Sequence, residues 1–137
     1  MHYDYFEHTA DIGIRAYGSS YAEVLEAAAR GMMNQICDTS KMTVTTVMTV
    51  TIQQSNLEDC TVRFLNHLIF LLETSKFVPL NYQITQPEEF AITAVLQGDT
   101  FNPNRDEFIQ EIKAATYHQF KITTEDNHWT LQVIVDI

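Results

Sequence analysis

The distribution of apolar residues predicts an α+β fold: a two-layer sandwich with a mixed or mostly antiparallel sheet and two helices packed on one face. Three observations support that class. Two capping-box signatures, Ser20 with Glu23 and Ser55 with Glu58, open stretches of helical apolar periodicity. Met42 to Gln53 alternates with period two, the mark of a half-buried strand. The remaining patterned segments are all strand-like, and strands grouped around only two helices place both helices on the same side of a sheet.

Tyr3 to Glu7 and Ile12 to Tyr17 read as short strands, the second with Ile12, Ile14 and Ala16 on one face. Gly18-Ser19-Ser20 ends that strand and opens a helix whose Val24, Ala28, Met32 and Ile36 form one buried stripe up to about Cys37. In the following strand Met42, Val44, Met48, Val50 and Ile52 face one way. Thr43, Thr45, Thr49 and Thr51 face the other, as β-branched residues do on a wet strand face. The second helix, with Leu65, Leu68, Ile69 and Leu72, has the wider apolar face and runs to about Ser75. Val78 to Thr85 and Phe90 to Gln97 are strands. Pro79 belongs at an edge or at a first position, because it cannot donate a ladder hydrogen bond. Gly98 to Asp106 is a loop, and Ile112 to Thr124 and Trp129 to Asp136 form a hairpin joined at Glu125-Asp126-Asn127. Trp129 and the Phe64 to Phe70 region are read as core.

The chain of 137 residues is expected to form one domain, residues 1–137, burying roughly two thirds of its unfolded surface. Its 45% apolar content excludes a disordered acidic tail. Eight basic residues against 18 acidic ones give a formal net charge of −10, and the basic ones are scattered. Phosphate binding needs them clustered, so a direct grip on nucleic acid is disfavoured and cations or a basic protein partner are favoured. Cys37 and Cys60 form no CxxC pair and read as buried thiols. No signal-peptide core follows Met1. The longest apolar run, Phe64 to Leu72, is broken by Asn66 and His67 and is far too short to span a membrane, so a soluble cytoplasmic protein is expected.

Phosphate loops, dinucleotide turns, zinc helices, serine-nucleophile elbows and EF-hand loops are all absent from the sequence. Two polar places stand out: Glu7-His8-Thr9-Ala10-Asp11 between two strands, and Asp136 closing an apolar strand beside Ile137. Two Asp carboxylates with a main-chain oxygen form a hard, all-oxygen set that suits Ca²⁺ or Mg²⁺, and a cation would relieve their repulsion. The plainer alternative is that Asp11 caps a turn and Asp136 merely ends a strand. In Lys113-Ala114-Ala115-Thr116-Tyr117-His118, period two puts Lys113, Ala115 and Tyr117 on one face, with Lys113 able to project toward an acidic site or a partner. His118 is either a ligand or proton shuttle or a hydrogen-bonded structural residue. His67 and His128 read as structural.

Tyr5-Phe6-Glu7-His8-Thr9-Ala10-Asp11-Ile12, Ala27-Ala28-Ala29-Arg30-Gly31-Met32, Phe64-Leu65-Asn66 with Leu68, Glu111 through His118, and Trp129 with Val135-Asp136-Ile137 together resemble the archease family, in order and over essentially the whole chain. The resemblance implies an accessory protein rather than an enzyme. Archeases assist the tRNA-splicing RNA ligase, which joins a 2′,3′-cyclic-phosphate or 3′-phosphate end to a 5′-hydroxyl end. That ligase is manganese-dependent and uses GTP through a guanylylated histidine. The family role is to promote guanylylation and multiple turnover and to widen nucleotide use. The resemblance also implies a divalent cation, usually assigned as calcium, held by Asp11, Asp136 and the carbonyl of Ile137, with Mg²⁺ or Mn²⁺ as alternatives. His8, Lys113 and His118 are then candidates for contacting the partner or surrounding the cation.

The chain departs from the family pattern in one loop and at one position of the second helix. Archeases often carry Gly-Glu, then an Asp and a His, before the Lys-Ala-x-Thr-Tyr-His block. Here the loop reads Gly98-Asp99, then Asn102, then Arg105-Asp106-Glu107, and His67 stands where an acidic residue is common. Two other readings remain. One is a metal-dependent hydrolase using Asp11, Asp136 and His8 or His118. The other is a general chaperone, which needs an exposed apolar patch that the sequence does not display; chaperoning of RNA-modifying enzymes such as tRNA methyltransferases is a further role the family resemblance implies.

Overall fold

A hairpin begins the first of two sheets. In the computed structural model, which describes residues 1–8 and 10–137 with Glu7 and His8 as backbone only, β1 (His2–His8) and β2 (Asp11–Gly18) run antiparallel. β2 pairs on its other side with β8 (His128–Asp136). Two short strands complete the sheet, β6 (Ala114–Ala115) against the end of β8 and β7 (Lys121–Glu125) against its start. The second sheet has the order β3 (Thr46–Gln53), β5 (Ala91–Thr100), β4 (Phe77–Glu88), and every pairing among the described residues is antiparallel.

Alternation sorts the first sheet. Ile14 and Ala16 of β2 and Leu131, Val133 and Val135 of β8 point into the core and are fully buried. On the outer face the ring of Phe6 lies over Gly13, where any Cβ would run into it, and the Arg15 guanidinium caps that ring at 4.2 Å from its centroid.

Helix α1 (Tyr21–Ile36) starts as its sequence predicts, with the Glu23 N–H donating to Ser20 Oγ at 3.1 Å, and it buries Val24, Ala28, Met32 and Ile36. It packs on β1, β2 and β8 and reaches β4, whereas α2 (Leu57–Ser75) touches β6 of the first sheet and β3, β4 and β5 of the second. The α+β sandwich is therefore as expected, but its strands divide into two antiparallel sheets that share one apolar core with both helices.

Several boundaries differ for identifiable reasons. The N-cap of α2 is Asn56, not Ser55: Asn56 Oδ1 accepts from the Asp59 N–H at 2.7 Å, and Glu58 and Asp59 both fall in the first turn, where carboxylates oppose the helix dipole. β3 begins at Thr46 rather than Met42: the Asp99 carboxylate takes the Thr43 N–H and the Thr45 hydroxyl, while the Thr45 N–H still reaches the Gly98 carbonyl at 2.8 Å, and Val44 is exposed. β5 continues through Thr100, so Gly98 lies in a strand and not in a loop. The predicted strand from Ile112 to Thr124 is broken into β6 and β7 by a turn in which Gln119 has φ 51°. Phe70 is half-exposed and not core. Pro79 does sit on an edge strand, at a register shift between Pro79 and Asn81. The β7–β8 hairpin turns on Asp126 and Asn127, both with positive φ, as a type I′ turn requires. Cys37 and Cys60 are buried and unpaired with each other. No described helix is long and apolar enough to cross a membrane.

Candidate functional site

Antiparallel register brings the two nominated aspartates together. Asp11 opens β2 and Asp136 closes β8, and the two are direct cross-strand partners. Directly opposed residues share a face, which puts both carboxylates, each half-buried, on the side of the sheet away from the helices. On the far side of Asp136 stands Ala114, which offers only a methyl group beside it. The Asp136 carbonyl accepts the Lys113 N–H at 2.8 Å. Ile137 follows, 40% exposed. On the other flank Asp11 pairs with the backbone of His8. The side chain of His8, and Thr9 altogether, lie outside the described residues.

Like charges directly opposite one another on neighbouring strands disfavour each other, and a cation between them would relieve this. The donor set of two carboxylates and a carbonyl oxygen suits a hard cation. Among the described residues no group of three or more His, Cys, Asp or Glu converges to cage a metal, so these oxygens fill only part of the coordination that Ca²⁺ takes.

The Lys113 to His118 block supports this end of the sheet. Lys113 is exposed and makes no ion pair among the described residues. Ala115 is buried, and Thr116 returns to β8 through its N–H at 3.0 Å and its hydroxyl at 2.8 Å, both on the Ile134 carbonyl. Tyr117 donates to Asp59 on α2 at 2.8 Å. His118 is exposed in the turn, its N–H on Thr116 Oγ1 at 3.3 Å. Asn66, which the sequence reading noted only as a break in the apolar run and as part of the family block, bonds both backbone groups of Ala115 through its side chain. Its signal is visible in retrospect: a polar residue breaking an otherwise apolar helix face must find a partner inside.

The departing loop is held by its own polar groups. Arg105 binds Asp106 in bidentate fashion at 2.9 and 2.8 Å and reaches Asp99 at 3.1 Å. Asn102 Oδ1 accepts from the Asn104 N–H at 2.9 Å, and the Asn102 N–H donates to Asp106 at 2.9 Å. Asn102 thus acts as an Asx-turn acceptor, a task that Asp performs equally. Arg105, then the Asn102 N–H, hold the Asp106 carboxyl below its usual range.

The chain belongs to the archease family: the profile of the Archease protein family (MTH1598/TM1083) matches residues 3–137. It is 37% identical over 139 residues to the protein archease of Methanosarcina acetivorans, covering 98% of this chain and 95% of that protein. The solution structure of Methanobacterium thermoautotrophicum protein 1598 matches with a TM-score of 0.80 at 26% identity, over 98% of each chain. A crystal structure from Thermotoga maritima, described as an archease and possible chaperone, matches with a TM-score of 0.70 over 96% of this chain and 94% of that one; at 24% identity this likeness shows the fold.

Proposed function

We propose that this archease is a cytoplasmic accessory protein of the GTP- and Mn²⁺-dependent tRNA-splicing RNA ligase, promoting its guanylylation and multiple turnover, and is not itself an enzyme. The observation that carries this reading is the cross-strand pairing of Asp11 with Asp136. In it, Asp11, Asp136 and the Ile137 carbonyl hold a divalent cation, Ca²⁺ first and Mg²⁺ or Mn²⁺ as alternatives. A bound cation would supply positive charge between the carboxylates and leave coordination positions to water or to a partner's oxygen atoms. The chain's own residues orient the site: Lys113 fixes the Asp136 carbonyl through its N–H, while its exposed side chain and the exposed His118 are open to a partner, with His8 a further candidate contact by sequence. Such a helper acts by binding the guanylylation-competent ligase more tightly than its other states, without chemistry of its own.

Multiple-turnover ligation of 2′,3′-cyclic-phosphate RNA by the host ligase, with GTP and Mn²⁺, tests this. Stimulation by the native chain, lost in folded Asp11→Ala and Asp136→Ala variants, is the expected result. Full stimulation by both variants removes the cation site from the mechanism. Intrinsic phosphoester turnover by the isolated protein replaces the accessory role with the hydrolase reading.

A further inference from the structure

We propose that the apolar pocket at the C-terminal ends of α1 and α2 receives one large apolar side chain from a basic segment of a partner protein. This goes beyond the ligase reading and does not rest on it. The pocket has a volume of about 360 Å³. Ile36, Ile69 and Ile112 line it and are nearly buried, at 2%, 5% and 2% exposure, whereas Phe108 at its mouth is 55% exposed. A lined cavity of about 150 Å³ takes up a benzene ring. The larger volume therefore admits an aromatic or long aliphatic side chain with part of its own backbone. Cys37 also lines the pocket, and burial, aided by the charges of Asp106 and Asp38, pushes its thiol up to about 11, so the wall it contributes is neutral.

The wall is pinned before any partner arrives. The Ile109 N–H donates to the Ile36 carbonyl at 2.7 Å, and the Asp38 N–H to the Glu107 carbonyl at 2.9 Å. Phe108 rests edge-on against Phe101, with centroids 6.4 Å apart. A preformed pocket spares the guest the cost of ordering it.

Charge selects the guest. Glu73 and Glu111 stand at the pocket with Lys76 as the one basic group among its lining residues. α1 ends here with no basic residue in its last turn, whereas the end of α2 is met by its C-cap Lys76, whose Nζ donates to the Glu73 carbonyl at 3.5 Å, so the two carboxylates and the α1 terminus make the rim negative. An apolar hole with a negative rim on an acidic chain fits an anchor residue flanked by lysine or arginine.

Amide chemical shifts of the intact, isotope-labelled protein test this against three synthetic nine-residue peptides: a central Phe flanked by lysines, the same Phe flanked by glutamates, and a central Ala flanked by lysines. The expected result is saturable shifts at Leu72, Phe108 and Ile112 with the lysine-flanked Phe peptide, at least roughly tenfold weaker with either other peptide. Phe108→Ala weakens binding, and Glu73→Lys with Glu111→Lys reverses the preference between flanks. No shift at those amides at about 1 mM peptide, a limit below which an anchored contact registers, overturns the proposal. Equal binding of both flanked peptides overturns the basic partner. Shifts at the same amides on dilution of the free protein overturn it in favour of a second copy of this chain.

Discussion

The side-chain amide of Asn66 on α2 makes both backbone hydrogen bonds of Ala115: its Nδ2 donates to the Ala115 carbonyl at 3.1 Å, and its Oδ1 accepts the Ala115 N–H at 2.8 Å. A helix side chain thus stands in for the missing neighbouring strand of β6. This holds a two-residue strand beside Asp136 and sets the Lys113 N–H on the Asp136 carbonyl. The packing of α2 and the geometry of the acidic sheet end are therefore linked through one residue.

Asn66→Leu leaves a buried N–H and a buried carbonyl of Ala115 without partners. Each such group costs about 1–3 kcal/mol, and an overall loss of about 2–4 kcal/mol is expected from urea unfolding. The Lys113 and Ala115 amides should then exchange with solvent faster than the rest of the first sheet. A loss well under about 1 kcal/mol, inside the ordinary range for surface changes, would mean that β6 holds its place without this clamp.

Gly98→Ala should be more damaging than Gly13→Ala, although both added methyl groups meet a neighbour. At Gly98 the Cβ would strike the Val78 carbonyl oxygen, which belongs to the paired backbone of β4 and cannot turn away. At Gly13 the obstacle is the ring of Phe6, a side chain that can swing at the expense of its contact with Arg15. Overpacking of the first kind costs about 1–3 kcal/mol or more. Thermal melts of the two variants side by side should rank Gly98→Ala lower; the reverse order would show that β4 yields more easily than the Phe6 ring.

Acid should undo the loop around Asp99 before the rest of the fold. The Thr45 hydroxyl first, then the Thr43 and Thr100 N–H groups, with the Arg105 charge adding and partial burial opposing, bring the Asp99 carboxyl from 3.8 down to about 2. Asp106 is held down as well, first by Arg105. A depressed carboxyl contributes stability above its unfolded value, near about pH 4, and loses it as the pH falls toward about 2. Melting temperature should drop across that window in the native chain, and Asp99→Asn should flatten the drop while lowering the plateau above it. An unchanged slope in the variant would assign the acid sensitivity to other carboxylates.

Much of this was legible in the sequence because local signals agreed with the final packing. Ser20 caps α1, Pro79 lies on an edge, and Asp126-Asn127 turns a hairpin, each for a reason confined to a few neighbouring residues. Where the sequence reading slipped, a distant group had intervened. Asp99 takes the Thr43 N–H and the Thr45 hydroxyl from across the fold, and Asn66 claims Ala115 from a separate helix. The exposure of Phe70 was illegible for a related reason: a helix in contact with strands of two sheets has an outward stripe that periodicity alone does not locate. The pairing of Asp11 with Asp136 was nominated by residue chemistry, but their direct opposition depends on a register between segments over a hundred residues apart.

That register makes the final prediction sharp. Two carboxylates directly opposite one another on neighbouring strands are destabilising. In a chelator, Asp136→Asn should therefore be at least as stable as the native chain, since it removes one of the two charges and keeps the strand. Calcium reverses the comparison, because a ligand that binds only the folded state stabilises it by about 2.7 kcal/mol at a hundred times its dissociation constant. The native melting temperature should rise with added Ca²⁺, while Asp136→Asn should stay flat, and the two curves should cross. Parallel rises in both proteins would place calcium elsewhere on this acidic chain. Two flat curves would leave the paired aspartates with no cation of their own, and the proposed accessory function would then have to rest on the polar groups around Lys113 and His118.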